Sequence, residues 1–143
     1  MGNNVSIRKV KVNYEDIQEA IKDNNIMMIN TLNTDNQGCL IERTTTIKSE
    51  VKVLNESLTK NKEIRIIIYG MNANDDTTLT KYEQLIKLGF YNVFVYPGGM
   101  FEWILLQDIY GEELFETTKK ELDILKYKPH SAMNMRFIEN GYP

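Results

Sequence analysis

One cysteine, Cys39, and one histidine, His130, stand in a chain of 143 residues. A single thiol forms no internal disulfide. One imidazole far from it in sequence offers neither a zinc-ligand spacing nor a Cys/His pair for nucleophilic catalysis. No apolar run approaches the roughly 20 residues that a membrane span needs, and no apolar leader opens the chain. Charge of one sign is also missing. The 17 basic and 20 acidic residues leave a net charge of -3, and the basic ones are scattered, which argues against a nucleic-acid surface. These absences lead us to expect a reducing, cytoplasmic setting with no cofactor, no metal and no nucleic-acid partner. What is present is 42% hydrophobic and 26% charged residues, a composition that supports one globular core in a chain too short for two ordinary domains.

Apolar periodicity alternates between strand and helix. Val10 and Val12 end a short strand, and Asn13 is placed to cap a helix carrying Tyr14, Ile17, Ala20 and Ile21 on one face. The run Ile26 to Ile29 reads as a strand covered on both faces, Cys39-Leu40-Ile41 as another, and Val51, Leu54 and Leu58 recur at helical spacing. Ile64 to Tyr69 is the strongest strand and runs directly into a polar loop. A helix with Leu79, Tyr82, Leu85 and Ile86 stops at Gly89, a strand spans Val93 to Tyr96, and an apolar helix runs from Phe101 to Tyr110. Strands alternating with helices of about ten residues predict right-handed crossovers and a parallel sheet with helices on both faces.

The segment Ile64 to Gly70, the helix end Leu88-Gly89-Phe90, the strand Asn92 to Tyr96 and then Gly98-Gly99-Met100-Phe101-Glu102-Trp103 together resemble the second half of a rhodanese domain. Upstream the match is looser: Met28 to Leu32 stands where the family has a strand ending in Asp-x-Arg, and Gly38 to Ile41 where it often has Gly-His-Ile. The similarity covers roughly residues 9 to 115, with residues 64 to 103 the most specific part because four features occur there in order. It implies an α/β, rhodanese-like fold with a five-stranded, mainly parallel sheet and helices on both faces. The implied organisation is a flexible arm over 1–8, the domain over 9–121 and a C-terminal tail over 122–143, packing on the domain or on a partner.

In that family the central strand delivers a cysteine into a loop whose backbone N–H groups and cations surround an anion. Gly70 occupies the cysteine position here, and the loop continues Met71, Asn72, Ala73, Asn74, Asp75, Asp76. The related phosphatase pattern places Arg where Asp76 stands, so the nucleophile is lost and the charge reversed together. No Cys, Lys or Arg occurs from Gly70 to Thr80, so a slip of a residue or two in the alignment changes nothing.

Other residues could substitute. Cys39 is a candidate nucleophile, weighed against a buried structural thiol whose apolar surroundings suppress the thiolate. Asp75 and Asp76 could act as an acid–base pair or bind a cation, weighed against capping the helix that follows. Trp103 with Phe101, Ile104 and Leu105 could line an aromatic pocket, weighed against core packing. His130, beside Pro129, reads as an exposed loop residue. In each case the second reading is favoured.

The expectation is therefore a non-catalytic binding or regulatory module with a protein partner. The alternatives are a sulfurtransferase-type or other enzyme with an unconventional site, and a structural component of a larger assembly. In the tail, Met133, Met135, Phe137 and Ile138 form an apolar group suited to a partner or to the domain itself. Met1-Gly2-Asn3-Asn4-Val5-Ser6 matches the N-myristoylation pattern. Gly2 would be the acceptor, with Arg8, Lys9 and Lys11 as the second signal for a peripheral membrane contact.

Overall fold

The computed structural model describes residues 10–133. Gly2 and the rest of the N-terminal arm through Lys9, and Met135, Phe137 and Ile138 of the tail, lie outside the described residues. Helix α1 (Tyr14–Lys22) starts where Asn13 accepts the backbone N–H groups of Glu15 and Asp16, while Asp16 reaches back to the Asn13 N–H, a reciprocal capping box. Strand β1 (Ile26–Asn30) follows, then a 3-10 turn at Thr34–Asn36, α2 (Ile47–Lys60), β2 (Arg65–Tyr69), α3 (Thr77–Leu88), β3 (Val93–Tyr96) and α4 (Gly99–Tyr110). A last 3-10 turn spans Ile124–Tyr127. Gly89 ends α3 at φ 118°, a conformation open to glycine because it lacks Cβ.

The sheet is parallel in the order β1-β2-β3, with Met28 opposite Ile67 and Ile67 opposite Phe94. Five strands were expected; among the described residues three form. The two flanking positions shrink to single parallel bridges, Lys11 beside Val95 and Thr44 beside Met28. On one side the Asn13 cap bends the chain into α1 immediately after the bridge. On the other, Arg43 at φ 68° precedes Thr44 and the N-cap Thr46 follows it, so only one residue can pair. The strand expected at Cys39 to Ile41 is also absent. Leu40 and Glu42 instead exchange backbone bonds with Thr118 and Glu116, and Ile41 forms an antiparallel bridge with Thr117.

Alternate strand residues point to opposite faces, and both faces are covered. Met28, Ile67, Tyr69 and Tyr96 pack with α1, Trp103 and Ile104 of α4, and Phe115. Met27, Ile29, Ile66, Ile68 and Val93 pack with Leu54 of α2, Leu85 of α3 and Phe90. Val51, Leu79 and Ile86 share the helical spacing but lie exposed, so each of these helices buries a narrower stripe than its sequence suggests. Trp103 is fully buried, packs edge-on with Tyr96 and Phe115, and donates Nε1–H to the Glu116 carbonyl at 3.0 Å. Ile104 is buried with it while Leu105 is exposed and Phe101 half-buried, so these residues do not gather into an aromatic pocket. No helix among the described residues is long and apolar enough to cross a membrane.

Candidate functional site

Parallel strands bring their carboxyl ends to one edge, where the loops that follow meet. The buried residues Ile66 to Tyr69 carry β2 to that edge and release Gly70 into the loop. Helix α4 then pins the loop: Met100 N–H donates to the Gly70 carbonyl at 3.0 Å and Phe101 N–H to the Met71 carbonyl at 2.8 Å. This contact requires Gly99, whose φ is 62° and where an added Cβ would fall 2.6 Å from the Gly70 carbonyl oxygen.

Asp75 folds back into the loop it belongs to. One carboxylate oxygen accepts the Met71 N–H at 2.9 Å, and the other accepts the Thr77 N–H at 3.0 Å and the Thr77 hydroxyl. A carboxylate only accepts, so the Thr77 proton points to Asp75 and the Thr77 oxygen receives the Thr31 hydroxyl at 2.8 Å. A Cβ built on Gly70 would collide with this carboxylate and lie 3.0 Å from Thr31 Oγ1. Position 70 is thus a glycine where its neighbour in space already fills the side-chain volume.

Asp76 holds the N-cap position of α3, yet its side chain makes no capping bond. The capping expected of the pair falls to Asp75 alone. At φ -73° and ψ -11° the Asp76 backbone is already helical, which turns its side chain away from the N–H groups that an extended N-cap reaches. Ala73 and Asn74 are exposed. Asn72 is buried, with its side-chain oxygen accepting the Asn74 N–H at 2.9 Å and its amide nitrogen donating to the Tyr127 carbonyl at 2.8 Å. Among the described residues no His/Cys/Asp/Glu group could hold a metal ion.

The loop forms one wall of a cleft of about 300 Å³, faced by Thr31 to Asn33 and by Lys128, Pro129 and His130. His130 is exposed and stands at this mouth. Sequence reasoning missed Thr31, Thr77 and Tyr127. Thr31 was open to inference, since it follows a parallel strand at the edge where the loops meet; nothing local marks Tyr127. Cys39 is not on the cleft's lining. It is buried, donates its thiol to the Lys119 carbonyl at 3.1 Å, and burial, aided by Glu121, pushes its pKa up. The Tyr127 hydroxyl lies beside this sulfur but is buried without a well-formed hydrogen bond.

The model of the rhodanese-like domain family matches residues 15–106. The chain belongs to this family. The rhodanese-like fold also relates it to solved structures. The BH2092 protein from Bacillus halodurans is 18% identical, with a TM-score of 0.60 over 94% of this chain and 95% of that one. The Alr3790 protein from Anabaena sp. is 17% identical, with a TM-score of 0.55 over 91% and 93%. The solution structure of the rhodanese-like domain of Alr3790 is 17% identical, with a TM-score of 0.54 over 86% of each chain. At such identities the likeness concerns the fold. No curated protein matches the chain. Within this rhodanese-like domain, then, the loop at the end of the central strand carries Gly70 with Asp75 folded over it.

Proposed function

We propose that this rhodanese-like domain is a non-catalytic binding or regulatory module. The observation that carries the reading is the Asp75 carboxylate, which fills the side-chain volume at position 70 and takes up the N–H groups of Met71 and Thr77. A loop built for sulfur or phosphoryl transfer keeps such donors free for an anionic substrate and projects a thiolate among them. Here the donors are committed to an internal anion. The other thiol is unsuited to replace it, because burial favours the neutral form of Cys39 and its proton is directed to a backbone carbonyl.

The partner is a protein, met through the cleft or the adjoining C-terminal segment, with a lipid at Gly2 as a further contact to a membrane surface. Thiosulfate-to-cyanide sulfur transfer and phosphatase turnover of the purified chain test the reading. Rates at the uncatalysed background are expected for both. Turnover that disappears in Cys39→Ala would overturn it.

A further inference from the structure

Building on that non-catalytic reading, we propose that the Gly70–Asp76 loop is a latch for the C-terminal segment, and that this segment is an autoinhibitory strap that walls the cleft and narrows access to its floor. One buried side chain joins the two. Asn72 ties the loop to itself through the Asn74 N–H and, across 55 residues of sequence, holds the Tyr127 carbonyl through its amide nitrogen. Immediately beyond that carbonyl, Lys128, Pro129 and His130 form the cleft wall opposite Thr31 to Asn33. Swinging the strap away exchanges the Asn72–Tyr127 bond for bonds to water, a net loss of free energy. At its other end the loop is held by Asp75 through Met71 and Thr77.

The strap's seat is built to release. Tyr127 is fully buried, but its hydroxyl meets only the Cys39 sulfur and makes no well-formed hydrogen bond there, so undocking the ring gives it stronger partners in water. The regular structure here is a single 3-10 turn, and Lys126, Lys128 and His130 are exposed. Tyr127 and Ile124 are the strap's apolar anchors on the core, and a single turn held by two such anchors opens at lower free energy than the sheet. Opening removes one wall of the cleft and frees its floor for a partner. Any partner that binds the open cleft or the freed strap shifts the same equilibrium, and the two effects are reciprocal.

Hydrogen exchange of the full chain tests this with Asn72→Asp and Asn72→Ala. Asn72→Asp keeps an acceptor for the Asn74 N–H and removes the donor to Tyr127; Asn72→Ala removes both. In both variants the amides of residues 124–128 and 130 are expected to exchange about tenfold faster, the equivalent of one buried hydrogen bond. Trypsin should cut after Lys126 faster by a similar factor, with β1 and β2 protected as before. Asp75→Asn should transmit a smaller acceleration to the same amides through the loop. Strap exchange at the wild-type rate in Asn72→Asp, with the change confined to residues 72–75, would overturn the latch. Because exchange is read independently of turnover, sulfur-transfer activity would sink the non-catalytic reading without altering this result.

Discussion

The carboxylate of Asp75 lies in the space that a side chain at Gly70 would enter, close enough that a Cβ there must displace it. The two positions exclude one another: a residue with a side chain at 70 expels Asp75 from its three donors, and Asp75 in place demands glycine. Glycine at 70 and the inward-folded Asp75 carboxylate form one structural unit.

Gly70→Cys therefore leaves sulfur transfer at background and lowers stability by about 1 kcal/mol, the net worth of the Met71 and Thr77 hydrogen bonds that Asp75 gives up to water. The double variant Gly70→Cys/Asp75→Gly is expected to be more stable than the sum of the two single losses, because the second change removes the collision caused by the first. Urea unfolding of the four proteins measures the coupling. Strict additivity, or robust turnover by Gly70→Cys alone, would contradict the exclusion.

Two buried tyrosines should respond oppositely to loss of their hydroxyls. Tyr69 receives the Ile41 N–H at 3.1 Å and shares a 2.7 Å bond with Thr44, so Tyr69→Phe costs about 1–3 kcal/mol by leaving buried partners unmet. Tyr127→Phe removes a hydroxyl that makes no well-formed hydrogen bond beside the Cys39 sulfur and is expected to be neutral or stabilising by up to about 1 kcal/mol. Thermal and urea midpoints decide it, and a loss in Tyr127→Phe matching that in Tyr69→Phe would count against this assignment.

Cys39 sets a pH dependence. Its folded pKa is raised above the ordinary 9.0 by burial and then by Glu121, so above that pH the unfolded chain sheds a proton that the folded chain keeps. Its contribution to stability is full below pH 9 and declines as pH rises through the folded value. The gap in unfolding free energy between wild type and Cys39→Ala should thus be constant from pH 6 to 8 and change toward the variant's favour above 9. The native thiol is expected to react slowly with a disulfide reagent at pH 8 and at the free-thiol rate in urea. Rapid modification of the native protein would show an accessible thiolate.

Gly2 is expected to accept a myristoyl group when the full chain is made together with N-myristoyltransferase. Intact mass reads the result, and an unmodified mass under conditions that acylate a control substrate removes the lipid contact. Given acylation, Lys11→Ala together with changes at Arg8 and Lys9 should weaken binding to anionic vesicles, since one acyl chain alone binds marginally.

The helices, the three central strands and the polar loop after β2 could all be read from sequence, because they depend on local pattern: the Asn13 cap, the Ile66 to Ile68 run, the Gly89 stop, the glycine at position 70. Strand length at the sheet's flanks could not. Lys11 and Thr44 each pair once because a neighbouring cap or the left-handed Arg43 ends the strand, and pairing partners are distant in sequence. The site divides in the same way. That a glycine follows the central strand at position 70 is a one-position fact. That Asp75 fills its volume, that Asn72 holds Tyr127 from 55 residues away, and that Lys128 to His130 wall the cleft were decided by tertiary packing alone. A carboxylate's role is set by which N–H groups it meets, and that depends on how β2, α3 and α4 converge rather than on the residues beside it in the chain.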